Sequence, residues 1–327
     1  RYLWEKHRDS QYGGYVWSLD DNGYVDDSKQ AYGHAFVLLA GASAKLVGHP
    51  LADQVIADAT EIIQTHFWDD KIGAVREEFG NDWGQISTYR GQNSNMHLTE
   101  ALMAAYEATG QRDYLRKATR ISDLIIHRNA AKLDYRVAEH FHEDWSLDKD
   151  FQGSEMFRPS GTTPGHALEW SRLLFQLFVL TRKEHSWMPE SARGLFRNAV
   201  ELGWDKVHGG FFYTLDWNNQ PIMREKLWWP IAEGIGATAF IGAYDHDDYY
   251  QHWYRQLWDF AENHIIDHER GGWLSELTED LRPTSRLFTG KPDIYHALQA
   301  CLIPLYPASG SLTHAIIEAD HEKRLGH

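Results

Sequence analysis

Apolar and polar positions follow two alternating registers along this chain. Over residues 50 to 66, Leu51, Val55, Ile56, Ala59, Ile62 and Ile63 fall on one helical face and Asp53, Glu61 and Gln64 on the other. That is the period of a helix half in solvent. The stretch before it, 30 to 46, carries no charge on any face from Ala35 to Ala42, the pattern of a helix buried all round. An inner helix followed by an outer one recurs at 93–109 with 112–127, 164–182 with 190–203, and 228–243 with 246–264, and 292–305 is the last inner candidate.

Between outer and inner helices lies a second recurring pattern, a small residue followed by strand-like residues. It reads GYVWSLD from Gly14, GAVREEF from Gly73, GFFYTLD from Gly210 and GWLSELT from Gly272. A fifth copy is hidden around Tyr135, where VAEHFHEDW (Val137 to Trp145) matches VREEFGNDW (Val75 to Trp83) at an offset of 62 residues. The successive spacings are 59, 62, 75 and 62 residues, five copies of one unit with a longer loop in the third interval. Inner-to-outer connections are short and outer-to-inner ones long, so the long loops gather at one end, where function usually sits.

Five inner helices are visible, and the opening RYLWEKHRD reads as the tail of an outer helix. A closed ring of six helical hairpins supplies its partner. The pattern therefore predicts an all-α fold, an (α/α)6 barrel with short β-hairpin-like loops at one end. It is expected to form a single catalytic domain over 1–327 whose first inner helix lies upstream of Arg1.

Four of the nineteen histidines stand in the opening turns of inner helices: His34, His97, His166 and His296. His97 with Glu100, His166 with Glu169, and His296 with Gln299 share the spacing H-x-x-[E/Q]. Residues three apart lie on one helix face, so each imidazole is expected to have a neighbour that fixes its tautomer. Any one such histidine reads as a structural residue. Three at equivalent places predict convergence on a common centre. Dinuclear carboxylate centres place Glu before His in this spacing, whereas here the order is reversed and the third helix offers an amide. No metal or other cofactor is expected.

Groups suited to sugars surround these histidines: Arg90, Gln92, Asn93 and Asn95 before His97, Trp170 after Glu169, Trp228 and Trp229 before Glu233, and Lys291, Asp293 and Tyr295 around His296. Flat rings beside amides and carboxylates fit a polyhydroxylated ligand. Most of the aromatic residues belong to the core; Trp170, Trp228 and Tyr32 are singled out by their neighbours.

Composition narrows the partners. With 32 Lys and Arg against 47 Asp and Glu the formal charge is −15, which repels nucleic acid and anionic membrane surfaces. Cys301, the single cysteine, sits in an apolar run and is expected to be packed. No apolar run reaches the ~18 residues that span a bilayer and no leader-like segment opens the chain, so the expected compartment is the cytosol.

The segments RGQNSNMHLTEA, PGHALEW, WWPIAEG and GKPDIYHALQA resemble, in order and spacing, the signature segments of the N-acylglucosamine 2-epimerase superfamily, and most closely its aldose–ketose isomerase branch. The resemblance implies the same (α/α)6 barrel and proton transfer between carbons one and two of a free sugar without metal or redox cofactor. It implies His166 and His296 as the acid/base pair and His97 as a helper in ring opening, with Asn93, Glu169, Trp228 and Glu233 as pocket or supporting residues. Arg90, Tyr32 and His34 complete the expected binding set. The expected activity is conversion of an aldose to a ketose, of the D-mannose to D-fructose type. The alternatives are a sugar 2-epimerase, an inverting glycosidase built from two of Glu100, Glu169, Glu233 and Asp293, and a non-catalytic binding protein.

Overall fold

A computed structural model describes residues 1–324, and its contacts gather the chain into two compact units. Unit one comprises Arg1–Ile125, His140–Asp148 and residues 313–324; unit two comprises Ile126–Glu139 and Lys149–Leu312.

In unit one, α1 (Ala31–Leu46) is followed by α2 (Ala52–Ile62), and α3 (Gln92–Thr109) by α4 (Arg112–Ser122). The inner pair, α1 and α3, pack on each other, and each carries its outer helix on its back. In α3 every residue from Ser94 to Ala105 is buried, as the even spread of apolar positions predicts. In α1 the expectation of burial all round is corrected: Ala40 is exposed and Tyr32, Phe36 and Leu39 are half-buried. Absence of charge shows that a face avoids no neighbour, not that a neighbour covers it.

Unit two repeats the scheme with α5 (Pro164–Leu180) and α6 (Trp187–Gly203), α7 (Trp228–Asp245) and α8 (Asp248–Phe260), then α9 (Tyr295–Leu302). Here α5 packs on α7 and α7 on α9, with α6 and α8 behind α5 and α7. A last helix, α10 (Leu312–Arg324), was not expected from the pattern. Within unit one it sets Thr313 beside Ser43 and His314 beside Glu107.

The outer helices α2, α4 and α8 each run on into a wide turn with π geometry, Ile63–Phe67, Asp123–Asn129 and Ala261–Ile265. A further such turn, Leu3–His7, stands where the tail of an outer helix was expected. After three of these turns, and directly after α6, an aspartate closes the loop by accepting two backbone N–H bonds: Asp9 from Gln11 and Tyr12, Asp69 from Lys71 and Ile72, Asp205 from Val207 and His208, Asp267 from Glu269 and Arg270. In two copies the other carboxylate oxygen takes a buried lysine that leads into the next inner helix, Lys29 on Asp9 at 2.8 Å and Lys226 on Asp205 at 2.9 Å.

The strand-like markers are short ladders, as expected, and in three copies their partners are regular. Glu78–Phe79 pairs with Lys29–Gln30, His140–Phe141 with Arg90–Gly91, and Glu276–Leu277 with Lys226–Leu227. Each of these three markers clamps the strand that opens the preceding inner helix, whereas Ser18–Asp20 pairs with Gly23–Asp26 and Thr214–Leu215 with Pro221–Met223. The hidden copy has Tyr135 at positive φ where every other copy has glycine, and Asp134 at positive φ where three of them have a second glycine. The absent glycine is what concealed it in the sequence.

Cys301 is exposed, which corrects the expected packed thiol. In α9 only Ala300 is buried, and Cys301 falls on a stripe with Ile294 (73% exposed) and Leu298 (46%). An apolar run on an eight-residue helix marks one covered face only. No helix among the described residues is long and apolar enough to cross a membrane.

Candidate active site

Proline at the start of α5 and the β-to-helix junction after Leu227 fix where two inner helices of unit two begin, because proline is preorganised for the first helical turn. His166 is the third residue of α5, His296 the second of α9, and Trp228 and Trp229 open α7. These openings bring the side chains together. The Trp229 ring lies 5.0 Å from that of His166 and 5.8 Å from that of His296, and Trp228 lies 6.4 Å from His296. Gly165 is required for this approach, since a Cβ there would stand 2.4 Å from Trp229 Cζ3.

Each histidine has a carboxylate behind it. Nδ1 of His296 is 2.8 Å from Glu233 Oε1, and Nδ1 of His166 is 2.9 Å from both oxygens of Glu139. A carboxylate only accepts, so Nδ1 carries the proton in both rings. Nε2 has no hydrogen-bond partner among the described residues in either ring, and both side chains keep 13% of their surface exposed. Each is therefore held in one tautomer with a basic nitrogen open.

The expected i, i+3 partners are corrected at these two histidines: the tautomer is fixed by Glu139 and Glu233, not by Glu169 and Gln299. Helical side chains tilt toward the N-terminus, so an imidazole in the first turns points away from i+3 and toward whatever precedes or neighbours the helix.

Glu233 also holds Arg172, which donates to Oε2 from Nε at 3.2 Å and Nη2 at 3.1 Å. Burial pushes the Glu233 carboxyl up, but the Arg172 charge and the bonds from His296 and Arg172 outweigh it and hold it well below the usual carboxylate range. Glu169, Glu233 and His296 offer ligand atoms within 4.8 Å of one another. A cation there would compete with the Arg172 guanidinium for Glu233 and face its positive charge, so the donor set does not fit a metal. Trp228 Nε1 is buried with no hydrogen-bond partner among the described residues, a donor aimed at something the protein itself does not supply.

Trp170, singled out in the sequence, has no exposed surface and belongs to the α5 core. Asp293 accepts from the Tyr295 backbone N–H at 2.8 Å, which turns the chain into α9.

Unit one brings Tyr32 and His97 together, ring centroids 5.0 Å apart, with Phe36 also 5.0 Å from His97. Asn93 lies in the first turn of α3 with a buried Oδ1 that has no hydrogen-bond partner among the described residues. Arg90 is buried and donates to the Thr88 and Tyr89 carbonyls and to Glu143, a clamp on the strand before α3. His34 departs from the expected binding set. It has no exposed surface, and its nitrogens are engaged by the Gln30 carbonyl at 2.7 Å and the Tyr15 N–H at 3.0 Å. No ring nitrogen of His34 is left for a sugar.

Two site residues escaped the sequence reading, and a third was named without its role. Glu139 occupies the position of Glu77 in the 62-residue offset match, a signal that was present. Arg172 is the only cation in α5, and a lone charge on a buried helix demands a partner. Trp229 follows Trp228 directly, and nothing in the sequence says which of the two reaches both histidines.

Comparison with known proteins gives the family. Residues 1–300 match the family described as N-acylglucosamine 2-epimerase (GlcNAc 2-epimerase). A D-mannose isomerase of Pseudomonas cannabina pv. alisalensis is 42% identical over 322 residues, covering 95% of this chain and 77% of that protein. A D-mannose isomerase of Thermobifida fusca is 42% identical over 316 residues, 94% of this chain and 77% of its own length. A crystal structure of a D-mannose isomerase superposes with a TM-score of 0.87 at 35% identity, covering 93% of this chain and 78% of that one. With a family match across most of its length and relatives this similar, the chain belongs to the N-acylglucosamine 2-epimerase family.

Proposed function

We propose that this protein is an isomerase that converts a free aldose to its ketose, D-mannose to D-fructose being the type reaction. The observation that carries the reading is the pair of imidazoles, His166 and His296, each with a carboxylate at Nδ1 and an open Nε2, beside one tryptophan ring. The named relatives support the same substrate class.

In the open-chain aldose the hydrogen on carbon two is acidic because the adjacent carbonyl accepts the electron pair. One imidazole takes that proton through Nε2 and the product is an enediolate. The other, protonated at Nε2 as the imidazolium, gives that proton to the carbonyl oxygen and takes back the one that oxygen two loses. Return of the carbon-bound proton to carbon one, with loss of the hydroxyl proton at oxygen two, gives the ketose; return to the opposite face of carbon two gives the epimer. An imidazole accepts a proton at Nε2 as a base and gives it back as an acid, so it serves both directions of transfer. The carboxylate behind each ring stabilises the imidazolium that forms, as in the Ser-His-Asp arrangement. His97 is assigned to ring opening on the resemblance, with Tyr32 against it, and Trp228 Nε1 and Asn93 Oδ1 are assigned to substrate hydroxyls.

The reading includes a ring of six helical hairpins acting as one catalytic domain. Five repeats and the likeness to the D-mannose isomerase structure support it.

Against an inverting glycosidase, Glu233 is engaged on both oxygens, by His296 and by Arg172, and is not free to serve as its acid or base. The deciding experiment is incubation with D-mannose in D2O, separating fructose from glucose by chromatography and following deuterium at carbons one and two. Fructose is expected, labelled at carbon one wherever the proton held on the imidazole exchanges with solvent before its return. Glucose labelled at carbon two would make the protein a 2-epimerase, and no change in free sugar would overturn both.

A further inference from the structure

We infer that Glu139 is the positioning residue of His166, holding the ring in its Nδ1–H tautomer so that Nε2 alone meets the substrate. The inference rests on the reading of His166 as a proton carrier and adds a residue to it.

The geometry is specific. Both Glu139 oxygens lie 2.9 Å from His166 Nδ1, and Oε1 also accepts the Thr163 N–H at 3.3 Å. Glu139 is 5% exposed, so its charge is little screened. Anchored by a backbone donor at the mouth of α5, the carboxylate has its direction set before the histidine arrives.

Its place in the repeat gives it a second, purely structural explanation that has to be separated from the first. Glu139 is the fifth residue of its marker, counting from Tyr135; the equivalent residues are Glu77 counted from Gly73 and Glu276 counted from Gly272. Glu77 Oε1 accepts from the Ser94 hydroxyl at 2.5 Å in the first turn of α3. Glu276 Oε2 accepts from the backbone N–H groups of Leu287 and Phe288 at 2.8 and 3.1 Å. A carboxylate at this position therefore serves generally as a latch on the chain leading into or opening an inner helix. Only at Glu139 does a catalytic imidazole stand in its path, at the third residue of α5, where α3 has Ser94. The latch has acquired a second duty.

Three variants divide the duties. Glu139→Gln keeps an oxygen for the Thr163 N–H and removes the charge; Glu139→Ala removes both; Glu139→Asp keeps the charge on a shorter arm. With 15N-labelled imidazoles, and the His166 signals assigned by their loss in His166→Gln, the wild-type ring is expected as Nδ1–H with bare Nε2. In Glu139→Ala it is expected to move toward the Nε2–H form that free histidine favours.

With D-mannose as substrate, kcat is expected to fall about 10- to 100-fold in Glu139→Ala and Glu139→Gln with KM unchanged, and to recover in part in Glu139→Asp. A latch alone would lower thermal stability in Glu139→Ala, spare kcat in Glu139→Gln, and leave the tautomer as it was. A wild-type His166 found as Nε2–H, or a Glu139→Gln protein with undiminished kcat, overturns the inference. If wild type turns over no aldose, the proposed function fails while the tautomer measurement still decides Glu139, and it does so even if one variant does not fold.

Discussion

Burial pulls the His34 imidazole down to about 4, with the Gln30 carbonyl opposing and Lys29 adding to the effect. The unfolded chain, titrating near ~6.5, binds a proton more readily than the folded one. Stability from this residue is therefore complete above about 6.5 and is lost as pH falls toward 4, on the order of 3 kcal/mol over that window. His34→Gln is expected to flatten the pH dependence of urea unfolding between pH 6.5 and 4, while lowering stability at neutral pH. At the same scale, His166→Asn and His296→Asn are each expected to reduce kcat by ~10²- to 10⁴-fold with little change in Tm, because both rings lie at the edge of the packed interior. Near-normal turnover in either variant would remove that histidine from the mechanism.

Elements carry the repeat. A turn aspartate, a marker ladder and a basic residue before the inner helix recur, and in two copies the pairing is a buried lysine on a buried carboxylate, Lys29 with Asp9 and Lys226 with Asp205. Burial pushes Asp205 up, but the Lys226 bond and the Val207 and His208 N–H groups outweigh it and bring it to about 2. Removing one partner leaves a buried charge unmatched, so Lys226→Met is expected to cost about 3–5 kcal/mol. The double variant Lys226→Met/Asp205→Asn should recover part of that loss in the same denaturation assay. The junction of α5 with α7 is equally demanding. Gly165→Ala would drive a methyl into Trp229 and Pro230, costing about 1–3 kcal/mol as overpacking. Because Trp229 lies beside both imidazoles, kcat should fall further than the stability change implies, which paired kinetic and melting measurements would reveal.

For the whole molecule, the charge of −15 predicts no retention on immobilised DNA at low salt. With Glu233 taken up by Arg172 and His296, turnover of D-mannose is expected to be unchanged after exhaustive treatment with EDTA. An activity restored only by added metal would contradict the Arg172–Glu233 assignment. Five copies of the repeat at near-constant spacing make the helical hairpins legible from residues alone, and the observed helices begin within three residues of the expected starts. α10 was not legible, since Leu312–Arg324 lies beyond the last marker and has no counterpart in the repeat.

The sequence by itself determined the repeat, the inner and outer helices, and the placing of His97, His166 and His296 near the openings of inner helices, because periodicity and helix-start signals are local. Only the tertiary structure decided what faces those histidines. Glu139 lies 27 residues from His166, and Glu233 63 from His296, and which carboxylate arrives behind which ring depends on how strand and helix directions combine in space. The same reason turned His34 from a binding residue into a buried one and left Cys301 exposed: hydrophobic pattern fixes which side of a helix seeks cover, while packing decides what, if anything, covers it.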